Sequence, residues 1–287
     1  DVLDQSVDLD MGRPVRVDAS TRPSDATIAR LAEMLLASEH PVIVAGQELA
    51  SRDAFAEATE LAELLGAAVY QSSVPYSAQF PTEHPACMGS FTRSQKQVRS
   101  LLEPYDLLFC LGADLLRMSV YSAVEPLPEG LPVIHLSERG WELGKNYRTD
   151  LAVQANVKET LQALLPVLRA KRTSSHAAGA QHRLAELRPR NWSAQRDKAR
   201  IEAMLAAETA PIDPKYLMLR FTETLPKDAV VVEEGLTSAL SLPGFLALRD
   251  PKAFYGLASG GLGFAIPGAV GVSLALPGRP VAVVVGD

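Results

Sequence analysis

The chain has 287 residues, of which 28 are basic and 34 acidic, so its formal net charge is −6 at pH 7. With 47% hydrophobic and 22% charged residues it has enough apolar surface to bury a core, which excludes disorder for most of its length and predicts a soluble globular protein of about two domains. The two cysteines, Cys87 and Cys110, are too few for a disulfide framework. They fit a reducing compartment, so we expect a cytoplasmic protein.

One uncharged stretch, residues 255–278, resembles a membrane span only in its length. It contains seven glycines and two prolines in 24 residues, whereas a membrane helix needs about 20 predominantly apolar residues. We therefore expect a tight buried turn followed by a buried helix, and no membrane partner. Because the chain begins at Asp1 and stops at Asp287 directly after the apolar run 281–285, we expect it to be a piece of a longer protein.

Residues 23–170 alternate between short apolar strands and amphipathic helices. Ser24 is a candidate helix N-cap, and Ile28, Leu31 and Leu35 share one face of the helix that follows. Apolar strands separated by helices are typical of a parallel sheet covered on both faces, so we predict a doubly wound, Rossmann-like α/β domain behind an interdomain segment at 1–22. Further helices are predicted at 54–65, 95–102 and 157–168, and strands at 41–45, 67–70, 107–111, 132–136 and 151–153.

Residues 171–208 are predicted to be a basic linker with a helix. Nine basic and two acidic residues lie between Arg169 and Arg200, and residues 173–180 have the small, polar composition of a linker. A phosphate-binding patch for nucleic acid is the alternative, but Trp192 is the one aromatic residue in this stretch. Together with the overall acidity, this favours a solvated linker and no nucleic acid partner.

A second α/β unit is predicted at 209–287. Asp213 followed by Pro214 is typical of a helix start. Because the pattern contains two strands, this unit is predicted to be truncated. Its predicted elements are strands at 229–232 and 281–285, a helix reaching toward Leu248, and a helix at 262–276 after a glycine-rich turn.

The middle domain offers few residues for chemistry. Gly46 and Gly112 each follow a strand and place loops at the carboxyl edge of the sheet, where open α/β sheets bind ligands. Neither has the three-glycine spacing of a dinucleotide fingerprint, so a plain turn is favoured over a bound nucleotide. His84, in the loop 80–85, is the most suggestive single histidine, but we expect it to be a capped or surface side chain.

The second unit carries two features that point to a cofactor. Residues 259–268 form a glycine turn that leads into a helix, and glycines allow positive φ and close approach of the backbone to a ligand. Gly286 and Asp287 end the last apolar strand, where a carboxylate can hold Mg²⁺ and a glycine can admit a phosphate. Each feature alone is more often a simple turn.

Taken together, in this order and spacing, residues 260–287 resemble the thiamine-diphosphate-binding domain of the pyruvate decarboxylase, acetolactate synthase and benzoylformate decarboxylase superfamily. The central region is similar to the middle domain of that family at residues 1–4, at the loop 80–85 and at 111–114. The turn 260–265 is most similar to the benzoylformate decarboxylase branch.

The resemblance implies roles for the glycine turn. Leu262 is the bulky side chain that lies between the two rings of the bent cofactor. The carbonyl of Gly260 accepts a hydrogen bond from the 4′-amino group of the cofactor, and Gly261 belongs to the same cofactor-binding turn.

The resemblance also implies how the diphosphate is held. The segment from Glu234 to Ser238 approaches it through backbone N–H groups at a helix N-terminus, with Thr237 and Ser238 supplying hydroxyls. Gly286 lies beside the cofactor, and Asp287 is a Mg²⁺ ligand that helps to neutralise the diphosphate.

The function implied by the resemblance is that of a thiamine-diphosphate- and Mg²⁺-dependent lyase that decarboxylates a small 2-oxo acid. Two alternatives stay open: a carboligase of the acetolactate synthase type, and a structural or nucleotide-binding module in which FAD or ADP lies against the middle domain. We expect that domain to be empty.

The resemblance limits what this chain can do alone. The family's activating glutamate belongs to a first domain, so no catalytic residue is assigned here and the chain by itself is predicted to be inactive. Ser119 lies near the position of a histidine in the benzoylformate branch, which argues against benzoylformate as substrate. The full-length parent is expected to be a homodimer or homotetramer.

Overall fold

The computed structural model describes residues 4–8, 10, 12, 13, 15, 17, 18, 20–73, 76–118 and 122–286. Asp1–Leu3, Ser119 and the predicted metal ligand Asp287 lie outside the described residues. The described chain contains one parallel sheet of six strands and a second of three. This confirms the doubly wound α/β class followed by a second α/β unit.

A six-stranded parallel sheet forms the centre of the middle domain. Its strands are β1 (Pro41–Ala45), β2 (Ala68–Gln71), β3 (Cys87–Ser90), β4 (Leu107–Leu111), β5 (Val133–Ser137) and β6 (Leu151–Gln154). Their order is β3-β2-β1-β4-β5-β6, with Ile43 of β1 between Val69 of β2 and Phe109 of β4. Every residue of β1 and β4 is buried, because both faces of the sheet are covered.

Helices cover the two faces of this sheet. They are α1 (Asp25–Ala37), α2 (Glu48–Ser51), α3 (Phe55–Leu65), α4 (Gln95–Leu102) and α5 (Val157–Lys171). Helix α5 packs against α1 and α3 on one face, where Ile43 belongs to the core. Val98 and Leu102 of α4 pack with Val42 and Val44 on the other. The Oγ of Ser24 accepts the N–H of Thr27, so the predicted cap of α1 is confirmed.

Strand β3 and helix α2 are not predicted from the sequence. Strand β3 has the sequence Cys-Met-Gly-Ser, which contains no β-branched or aromatic residue and so gives no strand signal. Helix α2 has four residues, too few to show helical periodicity.

The predicted linker is helical and packed. It forms α6 (Ser174–Leu187) and α7 (Trp192–Met204). Trp192 is 4% exposed and donates its indole N–H to the carbonyl of Pro243 at 3.0 Å. Helix α6 packs on α3, and α7 contacts β3 as well as the second unit. The expectation of a solvated linker is therefore wrong, because a few buried apolar side chains anchor an otherwise polar segment.

The second unit contains a three-stranded parallel sheet rather than the two strands predicted. Its helices are α8 (Pro214–Thr224), α9 (Leu242–Phe245) and α10 (Ala265–Ala275), and its strands are β7 (Val230–Glu234), β8 (Phe254–Gly256) and β9 (Val281–Val285). The strand order is β8-β7-β9. The three residues of β8 are too short a run to be recognised in the sequence. Asp213 caps α8 as predicted, by accepting the N–H groups of Lys215 and Tyr216.

The segment predicted as a helix reaching toward Leu248 is a 3₁₀ turn at Ser238–Ser241 followed by the short α9. Proline and glycine at positions 243 and 244 disfavour a longer helix.

The glycine turn and α10 are exposed, whereas the sequence predicted them to be buried. Leu262 is 84% exposed, Ile266 64% and Leu274 79%. Ala265 and Ala269 are the buried residues of α10, and they pack with Val232 of β7. The narrow sheet contacts one face of the helix, so the apolar side chains on its other face stay exposed. Among the described residues, no helix has the length and apolar character needed to cross a membrane.

The loop 76–84 of the middle domain is hydrogen-bonded to residues 248–256, which end in β8 and lead into the glycine turn. The N–H of Gly256 donates to the carbonyl of Tyr76 at 3.0 Å, and Ser77 forms a bridge with Tyr255. Thr82 and Leu248 exchange two hydrogen bonds, from the N–H of Thr82 to the carbonyl at 3.1 Å and from the N–H of Leu248 to Oγ1 at 2.9 Å. The loop 76–84 therefore fixes the chain that leads to the glycine turn.

Candidate functional site

The carboxyl ends of β7, β8 and β9 meet at one edge of the smaller sheet. Glu234 at the end of β7 pairs with Val285 at the end of β9, so the turns after these strands begin side by side. Strand β8 lies on the other side of β7 and leads into the glycine turn. Open α/β sheets bind ligands at this edge. The fold thus brings together the predicted segments 234–238, 260–262 and 286.

The glycine turn presents an apolar side chain at its tip. Gly260 has φ +76° and Gly263 has φ +90°, conformations that residues with a side chain rarely adopt. A Cβ on either glycine would meet no atom within 4 Å, so backbone conformation rather than crowding requires glycine here. Gly261 and Leu262 between them are exposed. This conformation of the turn therefore places Leu262 where a ligand can contact it.

Glu234 caps helix α10 from the neighbouring strand. Its carboxylate accepts the N–H of Gly263 at 2.5 Å and the N–H of Ala265 at 2.6 Å. These backbone hydrogen bonds, from Ala265 first and Gly263 second, hold the pKa of Glu234 below its ordinary value. The side chain therefore fixes the glycine turn, a contact that the sequence did not predict for it.

The turn after β7 is compact and its hydroxyls face outward. A Cβ on Gly235 would lie 2.5 Å from the Cβ of Ala239, so glycine is required for this close approach. Thr237 and Ser238 are exposed at the start of the 3₁₀ turn. Behind them the Oγ of Ser241 is buried without a hydrogen-bond partner among the described residues. Exposed hydroxyls and N–H groups at a helix start can bind an anion.

The predicted metal site is only partly visible. Gly286 follows β9 and is exposed, and Asp287 lies outside the described residues. In the part of the chain that the structure describes, no group of three or more histidine, cysteine, aspartate or glutamate side chains is placed to hold a metal ion. The role of Asp287 as a Mg²⁺ ligand stays a prediction.

Glu233 is a candidate residue that the sequence analysis missed. It precedes Glu234 in β7 and is half-buried beside Gly235 and Val284. Burial raises the pKa of Glu233, and the neighbouring charge of Glu234 adds to this effect. Two consecutive carboxylates at the end of an apolar strand were the signal that could have identified it.

At the middle sheet, the two glycine turns pack directly against each other. A Cβ on Gly46 would lie 2.1 Å from the carbonyl oxygen of Gly112, and a Cβ on Gly112 would lie 2.7 Å from the Cβ of Glu48. The Glu48 carboxylate is buried and accepts the Oγ–H of Ser137 at 2.6 Å and the N–H of Glu138 at 2.9 Å. The Glu48 carboxylate is therefore engaged at the end of β5, at the edge of the larger sheet where open α/β sheets bind ligands.

His84 has a structural environment. Its Nδ1 accepts the N–H of Ala86 at 3.2 Å, its Nε2 lies 3.3 Å from Glu63, and its ring meets Phe80 edge-on. These contacts confirm the expectation of a capped loop histidine.

Comparison with known proteins identifies both halves of this architecture. Residues 28–164 match the family model of the thiamine pyrophosphate enzyme central domain. Residues 240–287 match that of the thiamine pyrophosphate enzyme C-terminal TPP binding domain.

Individual relatives agree with this. Benzoylformate decarboxylase of Pseudomonas aeruginosa is 28% identical over 272 residues, which cover 95% of this chain and 48% of that protein. Acetolactate synthase of Mycobacterium bovis is 27% identical over 275 residues, which cover 93% and 42%. The solved thiamine diphosphate-dependent 4-hydroxybenzoylformate decarboxylase of Rhodococcus jostii RHA1 is 28% identical with a TM-score of 0.76, over 96% of this chain and 48% of that chain. The chain thus spans about half the length of the relatives that it matches.

Proposed function

Because this chain belongs to the family of thiamine-diphosphate-dependent enzymes, we propose that it supplies the middle domain and the first part of the cofactor-binding domain of a 2-oxo acid decarboxylase. The observation that carries the proposal is the exposed Leu262 on a glycine turn that Glu234 holds at the carboxyl edge of the smaller sheet. An apolar residue held open at a ligand-binding edge needs an apolar partner, and the rings of a thiamine cofactor fit it.

We expect two segments of the described chain, the glycine turn and the turn after β7, to share the binding of thiamine diphosphate. Leu262 contacts the rings, and the backbone of Gly260 and Gly261 approaches them closely because neither glycine has a side chain. The turn after β7 presents its N–H groups with the hydroxyls of Thr237 and Ser238 to the diphosphate. When bound, the cofactor supplies the nucleophilic carbon and the electron sink for loss of CO₂.

The proposed site also includes a Mg²⁺ ion beside the diphosphate. We expect Asp287 to coordinate the ion and Gly286 to leave room for the diphosphate beside it, as the carboxyl end of β9 is adjacent to that of β7. Glu234 positions the glycine turn, because its carboxylate already accepts two backbone N–H groups.

The substrate class rests on the relatives. A small 2-oxo acid is proposed because a benzoylformate decarboxylase matches 95% of the chain. A carboligase of the acetolactate synthase type is the second candidate, since such an enzyme matches 93% of the chain at nearly the same identity.

We propose a structural role for the middle domain, without bound FAD or ADP. The carboxylate of Glu48 lies at the carboxyl edge of the larger sheet, where it accepts hydrogen bonds from the end of β5. A phosphate there would meet a buried acidic group rather than free N–H donors. Calorimetric titration with FAD, ADP and coenzyme A is expected to show no binding, and saturable binding of any of them would contradict this role.

The main experiment uses the full-length parent. Calorimetric titration with thiamine diphosphate is expected to show binding in Mg²⁺ and its loss in EDTA. CO₂ release from benzoylformate and pyruvate, with acetolactate formation measured in parallel, then separates decarboxylase from carboligase. Absence of thiamine diphosphate binding with Mg²⁺ present would overturn the proposal.

The 287-residue chain itself is expected to release no CO₂ under the same conditions, because no residue of it is assigned to activate the cofactor. Turnover by this chain would contradict that assignment while leaving the cofactor site supported.

A further inference from the structure

One edge of the smaller sheet is covered by a loop of the middle domain. Strand β8 stands at the end of the strand order and pairs with β7. On its outer side, Ser77 forms an antiparallel bridge with Tyr255, and the carbonyl of Tyr76 accepts the N–H of Gly256 at 3.0 Å. Three residues separate Gly256 from Gly260 of the glycine turn. The middle domain therefore holds the chain directly before that turn.

Thr82 joins the same loop to the second unit at a further point. Its N–H donates to the carbonyl of Leu248 at 3.1 Å, and its Oγ1 accepts the N–H of Leu248 at 2.9 Å. Thr82 is 1% exposed and Leu248 is 7% exposed, so both hydrogen bonds are shielded from water. Without Oγ1 a buried N–H group would lose its acceptor, which costs more than the hydrogen bond itself is worth in water. One threonine thus satisfies both backbone groups of Leu248.

The loop that makes these contacts is also fixed from within. Gln79 is completely buried. Its Oε1 accepts the N–H of Ser72 at 2.7 Å, and its Nε2 donates to the Oγ of Ser72 at 2.7 Å. Both polar atoms of this side chain join the end of β2 to the residue before Phe80, so Tyr76 and Ser77 between them are held against β8.

We infer that Thr82 is a positioning residue of the thiamine diphosphate site, an inference that rests on the function proposed above. Thr82 acts through Leu248: together with Tyr76 and Ser77 it fixes residues 248–256, so the glycine turn is ordered before the cofactor binds. A site that is correctly ordered in about one molecule in ten binds its ligand about tenfold more weakly than a site that is always ordered. The middle domain, through this loop, therefore raises the affinity for the cofactor.

The test compares two substitutions of Thr82 in the full-length parent. Thr82→Val removes the acceptor of the Leu248 N–H with little change in shape, and we expect thiamine diphosphate to bind about tenfold more weakly in Mg²⁺. Thr82→Ser keeps the hydroxyl and is expected to bind the cofactor as the wild type does. Calorimetry measures the affinity. Amide hydrogen exchange of the cofactor-free protein is expected to become faster across residues 248–263 in Thr82→Val alone.

Thr160→Val is the matched control for a general loss of stability. Thr160 of α5 is also buried, and its Oγ1 donates to the carbonyl of Asn156 at 2.7 Å, within the middle domain. We expect Thr160→Val to lower the Tm as Thr82→Val does, but to leave both the affinity and the exchange of residues 248–263 unchanged. Gln79→Met is a second test variant, because it releases the same loop through a different residue and is expected to weaken cofactor binding as Thr82→Val does.

Three results would overturn the inference: wild-type affinity in both Thr82→Val and Gln79→Met, an equal loss of affinity in Thr82→Val and Thr160→Val, or an equal loss in Thr82→Val and Thr82→Ser. Absence of thiamine diphosphate binding by the wild-type parent would instead contradict the proposed function. The hydrogen exchange of residues 248–263 would then still decide whether Thr82 fixes the glycine turn.

Discussion

The carboxylate of Glu234 lies 2.6 Å from the backbone nitrogen of Ala265, so the last residue of β7 caps the first residue of α10. The same carboxylate accepts the N–H of Gly263. Strand and glycine turn are thereby held together by one side chain.

Replacing this carboxylate is expected to loosen the turn. Glu234→Gln keeps the shape but offers one acceptor oxygen where two N–H groups donate, so we expect a lower Tm and weaker thiamine diphosphate binding in the full-length parent. Glu129→Gln is the control, because Glu129 is exposed and makes neither contact, and it should keep the Tm of the parent. Equal Tm for Glu234→Gln and wild type would contradict the capping role.

The same cap predicts a pH dependence. The pKa of Glu234 is lowered in the folded chain, so its contribution to stability is present above the ordinary value of 4.5 and is lost as the pH falls through the lowered pKa. The Tm difference between wild type and Glu234→Gln should therefore be constant at neutral pH and shrink in acid. Thermal melts across this range measure it.

Leu262 is expected to serve ligand binding rather than stability. Because its side chain is 84% exposed, Leu262→Ala should change the free energy of unfolding by no more than about 0.5 kcal/mol. In the full-length parent the same change should weaken thiamine diphosphate binding. Leu274 of α10 is 79% exposed, so Leu274→Ala is the control. It should change neither the free energy of unfolding nor the binding of thiamine diphosphate. A large loss of stability in Leu262→Ala would show that the residue belongs to the core.

Gly46 is expected to tolerate no side chain. Gly46→Ala places a methyl group 2.1 Å from the backbone carbonyl of Gly112, which cannot move away cheaply, so unfolding should become easier by about 1–3 kcal/mol. Gly271→Ala is the matched control, since it lies in α10 with no atom within 4 Å of the added Cβ. It should stabilise the helix by about 0.5–1 kcal/mol. Urea unfolding of both variants provides the comparison.

Glu48 should give the opposite pH dependence to Glu234. Burial raises its pKa above 4.5, so the stability linked to this group is present below that value and is lost as the pH rises through the raised pKa. Glu48→Gln cannot ionise and should gain stability relative to wild type between acidic and neutral pH. Glu129→Gln, at an exposed site, should show no such trend in urea unfolding. A pH-independent difference for Glu48→Gln would contradict the burial of a charged group.

The sequence predicted the elements whose periodicity is strong. Helix α4 has the predicted bounds, as do the strands β1, β4 and β9. Short or weakly patterned elements were missed, because three or four residues such as those of β8 and β3 carry little periodic signal. The segment around Trp192 misled the prediction, because its composition is that of a linker while a few buried apolar side chains, Trp192 among them, anchor it.

For the candidate site, the sequence by itself determined which residue types were available: the glycines of the turn, Leu262 at its tip, and acidic residues at strand ends. Only the tertiary structure decided what they contact. Glu234 is 29 residues from Gly263 in the chain and 2.5 Å from it in space, and Oγ1 of Thr82 lies 2.9 Å from the nitrogen of Leu248, 166 residues further along the chain. The sequence pattern of one segment indicates its backbone conformation and its burial. Hydrogen bonds between distant segments depend instead on the register and order of the strands, and the pattern of a single segment does not contain that information.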